Sequence, residues 1–354
     1  MGRKQDPSSS GEGGVKDLRS GTSRRLTMAD VAAHAGVSRQ TVSLVLAEKP
    51  GPSSDTRRAV LEAVDALDFR PDVAAQLLRS ARSRQLGVLF SMEHSHDPLV
   101  VEALYDVAAH HEYSLVLSAA APVRGVRSAV DELLGLHCEG VIILGLDVDE
   151  PEHLAEVARM VPVVEVAQRS GVTGVETVRT DDAAGTRLAV DHLVGLGHRD
   201  ILHLEGGAKP GAPERREGYL YAMADHDLVE HVEILAGDFT EESGVVAASA
   251  LLERPRLPTA VIAANDLAAR GVVETFLRAG TGVPEQVSVV GYDDSRVAAL
   301  HHLSLTTVHQ DPVAMAELAL EACAERLEGR RDRAHDVVLP PSLTVRSTTA
   351  HPRR

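Results

Sequence analysis

LTMADVAAHAGVSRQTVSLVL, residues 26–46, decides how this chain is read. Thr27 is of a type that caps helix N-termini, and Asp30 follows within the first turn, where a carboxylate meets the positive helix end. Val31 and Ala32 supply an apolar face, and Gly36 permits the left-handed stop that ends a helix. Ser38 caps a second helix, in which Val42, Val45 and Leu46 recur at helical spacing and face inward. Arg39 and Gln40 are left exposed in its first turn. Two short helices joined by a glycine-containing turn make a helix-turn-helix, whose second helix enters the DNA major groove by its N-terminal residues. Arg39 carries a fork suited to guanine and Gln40 an amide suited to adenine, while Thr41 and Ser43 can reach bases or phosphates. The bare pattern also fits an ordinary helical hairpin, so the flanking sequence has to choose.

Downstream, a third helix is expected from about Ser54 to Leu67, closing a small core through Val60, Val64 and Leu67. Upstream, residues 1–25 combine Ser8-Ser9-Ser10 and Gly13-Gly14 with scattered charge, a composition expected to stay disordered. From Leu86 the pattern changes. Aliphatic runs at Leu86–Phe90, Leu115–Leu117, Gly140–Leu144, Val161–Val166, Ile201–Leu204, Val232–Leu235, Ala260–Ala264 and Val287–Val290 read as strands. Amphipathic stretches such as Leu99–His110, Ala183–Leu196, Glu241–Leu252 and Leu267–Ala279 read as helices between them. Near-continuous apolar strands alternating with helices call for parallel sheets covered on both faces. So many units imply two sheets, and a ligand would sit at the strands' carboxyl ends, in the cleft between lobes.

The net charge of −16 argues against a protein coated along its whole length in nucleic acid. Yet residues 1–85 hold 14 Lys and Arg against 10 Asp and Glu, and the remainder 22 against 42. A small basic end therefore precedes a large acidic body. No window holds the roughly 18 apolar residues of a membrane span, and residues 1–25 lack the apolar stretch of a signal peptide. Cys138 and Cys323 suggest no disulfide framework. The expectation is a cytoplasmic protein without membrane partner, metal or cofactor. His192 and His198, six residues apart, do not match the i, i+4 spacing of a helical metal pair. No GxSxG, P-loop, HExxH or dinucleotide fingerprint is found, so no enzyme is indicated.

The run AxVAxxAGVSxxTVSxVL followed by SxxTRxxVxxAxxxLxFxP, over Thr27–Pro71, resembles the N-terminal domain of the lactose/galactose repressor (LacI/GalR) family. The resemblance implies a DNA-binding regulator, most simply a repressor, acting as a homodimer on double-stranded, pseudo-palindromic operator DNA. It places Thr27, Ser38, Arg39, Gln40, Thr41, Ser43 and Arg57 at the DNA. Where the family's namesake carries a base-reading Arg, Leu44 stands here and offers only apolar contact to a thymine methyl. Asp72–Arg79 resembles the family's hinge helix, within a linker at about 71–85. The likeness assigns DNA contacts to Gln76 and Leu78, with Leu78 matching a leucine wedged into the minor groove.

The rest of the chain, about 86–350, resembles the family's effector-binding core, similar to a periplasmic sugar-binding protein with two doubly wound lobes. Landmarks include Gly140–Ile143, Val161–Val164, Arg215 before Gly218, Ala264–Asp266, Val289–Asp294 and Leu305–Thr307. Carried over position by position, Arg215, Phe239, Asn265, Asp293 and Gln310 form the effector pocket. Such side chains donate to and accept from hydroxyl groups, and an aromatic face suits a sugar. A carbohydrate or derivative is the implied effector; a non-sugar metabolite, or action with a corepressor, is the alternative. Asp266 and Asp294 read as turn or cap residues instead. Ala167-Gln168 stands where relatives carry Asp, and Asp97-Pro98-Leu99-Val100 where they carry Asn-Pro-Phe-Phe. Glu165, inside an aliphatic strand, either faces the cleft or pairs with a basic residue. The likeness sets the first lobe at about 86–180 plus 311–333 and the second at 181–309 plus 334–346.

Overall fold

The computed structural model describes residues 26–46, 49–69, 82–121, 123–148 and 150–353. Two compact units divide between Ala81 and Arg82. The tail expected at 1–25 and the hinge residues Gln76 and Leu78 lie outside the described residues.

In the first unit, α1 (Met28–Ala35), α2 (Arg39–Leu46) and α3 (Ser54–Ala66) enclose Val31, Ala32, Val42, Val45, Val60 and Ala63, with Phe69 closing the core. The Thr27 amide and hydroxyl both donate to Asp30 Oδ2, at 2.8 and 2.7 Å, fixing the start of α1. Gly36 ends it at φ +66°, a conformation in which a β-carbon is disfavoured. Ser53 accepts from the Thr56 amide at 3.3 Å and caps α3.

The second unit begins with β1 (Gln85–Ser91), α4 (Asp97–His110), β2 (Ser114–Ala120), α5 (Val126–Gly135), β3 (Gly140–Leu144), α6 (Pro151–Met160), β4 (Val163–Val166) and β5 (Glu176–Thr180). There follow α7 (Asp182–Gly195), β6 (Ile201–Leu204), α8 (Ala212–Asp225), β7 (Glu233–Leu235), α9 (Glu241–Leu252), β8 (Ala260–Ala263), α10 (Asp266–Arg278), β9 (Ser288–Asp293) and β10 (Thr306–His309). The chain closes with α11 (Pro312–Leu327), β11 (Asp336–Leu339) and β12 (Ser342–Thr344). Two six-stranded sheets result, ordered β2-β1-β3-β4-β5-β11 and β7-β6-β8-β9-β10-β12. Only β12 runs antiparallel to its neighbour. Each sheet carries apolar helices on both faces. In the first lobe α4 and α11 cover Leu86, Val88, Ile142 and Val164, and α5 and α6 cover Leu89, Val141, Ile143 and Val163. The second lobe repeats the plan with α9 and α10 on one side and α7 and α8 on the other. Each fully buried aliphatic side chain contributes about 1.5–3 kcal/mol.

Four strands depart from the aliphatic-run reading: β5, β10, β11 and β12. They are short and polar, and partners invisible to hydropathy hold them. Glu176 in β5, 1% exposed, accepts from the His335 amide at 2.7 Å. Arg179 grips Asp336 of β11 through two bonds of 3.0 and 3.1 Å. The pairing of β11 with β5, Asp336 opposite Thr177 through Leu339 opposite Thr180, also corrects the lobe boundary. Residues 336–339 belong to the first sheet, and the return to the second comes at Pro340-Pro341. His192 and His198 fasten the last residues: His192 Nε2 lies 3.0 Å from Thr349 Oγ1, and His198 Nε2 lies 2.8 Å from the Ala350 carbonyl. Among the described residues no group of His, Cys, Asp and Glu could hold a metal, and no helix is long and apolar enough to cross a membrane.

Candidate functional sites

In the head, Ser38 Oγ accepts from the Thr41 amide at 3.1 Å, so α2 starts where the spacing places it. Burial of Val42 and Val45 turns Arg39, Gln40 and Ser43 outward. Thr41 and Leu44 are half-buried, and Thr41 Oγ1 is 2.9 Å from Ser38 Oγ. Thr27 is exposed beside the start of α1. Arg57 bonds within the head itself, donating to the carbonyls of Val45 at 3.4 Å and Lys49 at 3.0 Å, and so braces the end of α2 against α3.

In the core, all five side chains picked from the sequence line one cleft between the lobes. The topology explains why. Both sheets reverse winding direction beside their first strand, and loops at the carboxyl ends there form a crevice. From the second lobe come Arg215 beyond β6, Phe239 beyond β7, Asn265 beyond β8, Asp293 ending β9 and Gln310 beyond β10. From the first come His94–Asp97 after β1, Gly145 after β3 and Ala167 after β4.

Arg215 organises the floor. Its Nε donates to Asp182 Oδ1 at 2.8 Å, its Nη1 donates to the Ala264 carbonyl, and Nη1 lies 3.7 Å from Asp293 Oδ1. The guanidinium carbon stands 3.6 Å over the Tyr292 ring and 5.2 Å from the Phe239 ring centre, a cation–π arrangement. Burial alone would lower its proton affinity; Asp182, Tyr292 and Asp293 together raise it above the ordinary arginine range. Phe239 reaches its place because residue 206 is glycine: a β-carbon there would lie 2.2 Å from the ring.

Asp293 takes φ +114°, which side-chain-bearing residues rarely adopt. It accepts from Gln310 Nε2 at 2.8 Å and from Ser95 Oγ of the opposite lobe at 3.3 Å. Burial pushes its carboxyl upward, against the pull of Arg215, His96 and Gln310. Asp266 behind it is pushed up to about 8, by burial and then by the charge of Asp293.

The capping assignments need correction. Asn265, not Asp266, caps α10: its Oδ1 accepts from the Ala268 amide at 2.9 Å, while its Nδ2 donates to the Phe239 carbonyl at 2.9 Å. Asp266 instead accepts from the Ser295 amide at 2.7 Å and the Thr307 hydroxyl at 2.6 Å, pinning the loop after β9. Asp294 joins His309, Thr344 and Arg346 into one hub. Glu165 does not line the cleft; fully buried, it accepts from the Ser170 amide at 2.9 Å and steadies the turn after β4.

From the first lobe, sequence reasoning marked Asp97 and Ala167 only as departures from the family pattern and missed His94 and His96 beside them. His96 is 5% exposed and its Nε2 has no partner among the described residues. His94 stands edge-on to Phe239, ring centres 6.3 Å apart, beside Asp97 at 3.7 Å. Burial lowers the proton affinity of His94, but Asp97 and then Asp293 raise it further. The available signal was positional: these residues directly follow a strand that ends at the crevice.

Residues 27–72 match the bacterial regulatory proteins of the lacI family, and residues 190–349 match a periplasmic binding protein-like domain. The HTH-type transcriptional regulator MalR of Streptomyces coelicolor is 34% identical over 337 residues, covering 91% of this chain and 96% of its own. The crystal structure of a LacI transcriptional regulator from Rhodococcus is 43% identical with a TM-score of 0.72, covering 75% of this chain and 98% of that one. The lac repressor dimer bound to operator and the anti-inducer ONPF is 30% identical with a TM-score of 0.79, covering 92% of this chain and all of its own. These proteins are named regulators or repressors, not enzymes.

Proposed function

Because this chain belongs to the lacI family of bacterial regulatory proteins, a family of DNA-binding transcriptional regulators, we propose that it is a repressor gated by a small polyhydroxylated effector. Two copies bind a two-fold operator, Arg39 and Gln40 of each entering the major groove. Gln76 and Leu78 act in the minor groove between the half-sites. Effector seated among Arg215, Phe239, Asn265, Asp293 and Gln310 biases the closure of the lobes, a hinge motion. That bias is transmitted to the DNA-binding ends.

One observation carries this reading: five residues scattered over about a hundred positions converge on a single interlobe cleft, beneath an aromatic ring and beside paired acid and guanidinium groups. That lining suits hydroxyl groups, which donate and accept at once. Titrating labelled duplexes from upstream of neighbouring genes, with and without a panel of sugars, tests it. The expected result is selective binding to a palindromic site that one sugar alters. No preference over random DNA in any ligand state at moderate salt overturns it.

A further inference from the structure

The folded head is poor in the charge that a duplex demands. DNA presents one phosphate charge per roughly 1.7 Å of its axis, and neutralising those charges supplies most non-specific affinity. Yet residues 26–69 hold four Lys and Arg against six Asp and Glu. Two of the four cations are engaged within the head. Arg57 donates to the carbonyls of Val45 and Lys49, and Arg58 pairs with Asp55 at 3.0 Å and with Glu62 at 4.0 Å. The outward face of α2 offers Gln40 and Ser43 beside Arg39, the one cation of that helix.

The body adds no attraction. Residues 86–354 carry 22 Lys and Arg against 42 Asp and Glu, a balance that repels a polyanion. Positive charge is concentrated on the two flanks of the head. Residues 70–85 hold four arginines and one acid, but Arg82 pairs with Glu139 at 2.8 Å and Arg84 with Glu112 at 3.8 Å. Residues 1–25 hold six Lys and Arg against Asp6, Glu12 and Asp17. The stretch that adjoins the head, residues 18–25, carries Arg19, Arg24 and Arg25 and no acid. Guanidinium groups suit phosphate oxygens, which they grip with paired donors.

Position decides what this charge can meet. The chain enters α1 at Thr27, which is exposed, and in a helix-turn-helix the first helix crosses the DNA backbone. At no more than about 3.6 Å per residue, Arg24 and Arg25 stay within about 11 Å of that point and Arg19 within about 29 Å. The family match begins at residue 27 and does not account for this segment. We infer that residues 1–25 are a cationic arm that holds the phosphate backbone beside each operator half-site, adding affinity without reading bases. The inference rests on the head being the DNA-binding end, as proposed above.

Fluorescence-anisotropy titration of the full chain over a salt series tests it. The probes are a duplex that the unaltered chain selects from a random-sequence library and a scrambled duplex of equal length. The triple variant Arg19→Gln, Arg24→Gln, Arg25→Gln should bind both duplexes about tenfold or more weakly at low salt. Its log affinity should fall less steeply with log salt, by about 2 or more per dimer, at about 0.9 per lost phosphate contact. The ratio of the two affinities should not change. Lysine at the same three positions keeps the charge and should keep both affinity and slope, whereas Arg39→Ala should reduce the ratio. An unchanged slope in the glutamine variant overturns the arm and leaves the head standing as reader. Tighter DNA binding by that variant also overturns it, by showing that the segment serves the acidic body instead. A loss confined to the selected duplex overturns the sequence-independent mode, and lysines that fail to restore binding overturn charge as its cause. Failure to select any duplex in any ligand state overturns the underlying reading as well.

Discussion

Asn265 commits one donor and one acceptor of its amide to the protein, and the consequence can be measured. Asn265→Ala deletes the acceptor for the Ala268 amide, a helix cap worth about 1 kcal/mol. It also deletes the donor to the Phe239 carbonyl, which costs about 1 kcal/mol, or more if that oxygen stays dry. The expected loss is about 2–3 kcal/mol. Asn265→Ser restores an oxygen at the cap but not the tether, so its loss should be about 1–1.5 kcal/mol. Urea unfolding followed by far-ultraviolet circular dichroism gives both values. Both variants release the Phe239 backbone, so both should weaken effector binding to a similar extent while DNA affinity in the absence of effector stays unchanged. If serine costs as much as alanine, the cap contributes nothing. If the serine variant binds effector normally, the tether is idle and the account of how Phe239 is positioned is wrong.

Arg39→Ala should lower specific DNA affinity by about 1–3 kcal/mol and relax the preference at one base pair per half-site; unchanged selectivity in a mismatch series rejects Arg39 as a reader. Arg57→Ala, which frees the Val45 and Lys49 carbonyls, should weaken binding to all sequences alike, and a change of base preference would contradict the bracing role. Gly185→Ala would set a β-carbon 2.3 Å from the Tyr292 hydroxyl, costing about 1–3 kcal/mol by overpacking; an unshifted melting temperature would show that the ring beneath Arg215 has room. For Asp294, burial alone would raise the carboxyl, but His309, Arg346 and Thr344 hold it down to about 2 from 3.8. Its folded value lies below the unfolded one, so the stabilisation is present above about pH 4 and lost as pH falls toward 2. That amounts to about 2 kcal/mol, and Asp294→Asn should flatten this part of the acid-unfolding curve.

Much of the fold was legible because it is written in apolar periodicity. β3 and β6 match their aliphatic runs residue for residue, as α9 matches its amphipathic stretch. The helix-turn-helix was legible through its caps. What escaped was held by polar pairing between distant segments. Glu176 and Arg179 find their partners only in the loop at His335 and in β11 at Asp336, more than 150 residues later. The second-lobe half of the cleft was found because its residues follow recognisable strands and match a family pattern. His94 and His96 also follow a recognisable strand, β1, but no family motif singled them out. The Asn265–Asp266 pair shows the limit of reading caps from residue type: either could cap α10, and only the geometry decides between them.

The late return of α11 and β11 to the first lobe governs how this protein can be made. Seven of the twenty buried residues in one of that lobe's two cores lie between Met315 and Ala324, and the open side of β5 waits for residues 336–339. A ribosome thus completes the second lobe's parallel strands β6–β10 before the first lobe can close. Throughout that interval a greasy sheet face and an unpaired strand stand bare, the condition under which nascent chains cling to one another. Chaperone demand during translation should therefore centre on the lobe that is started first and finished last.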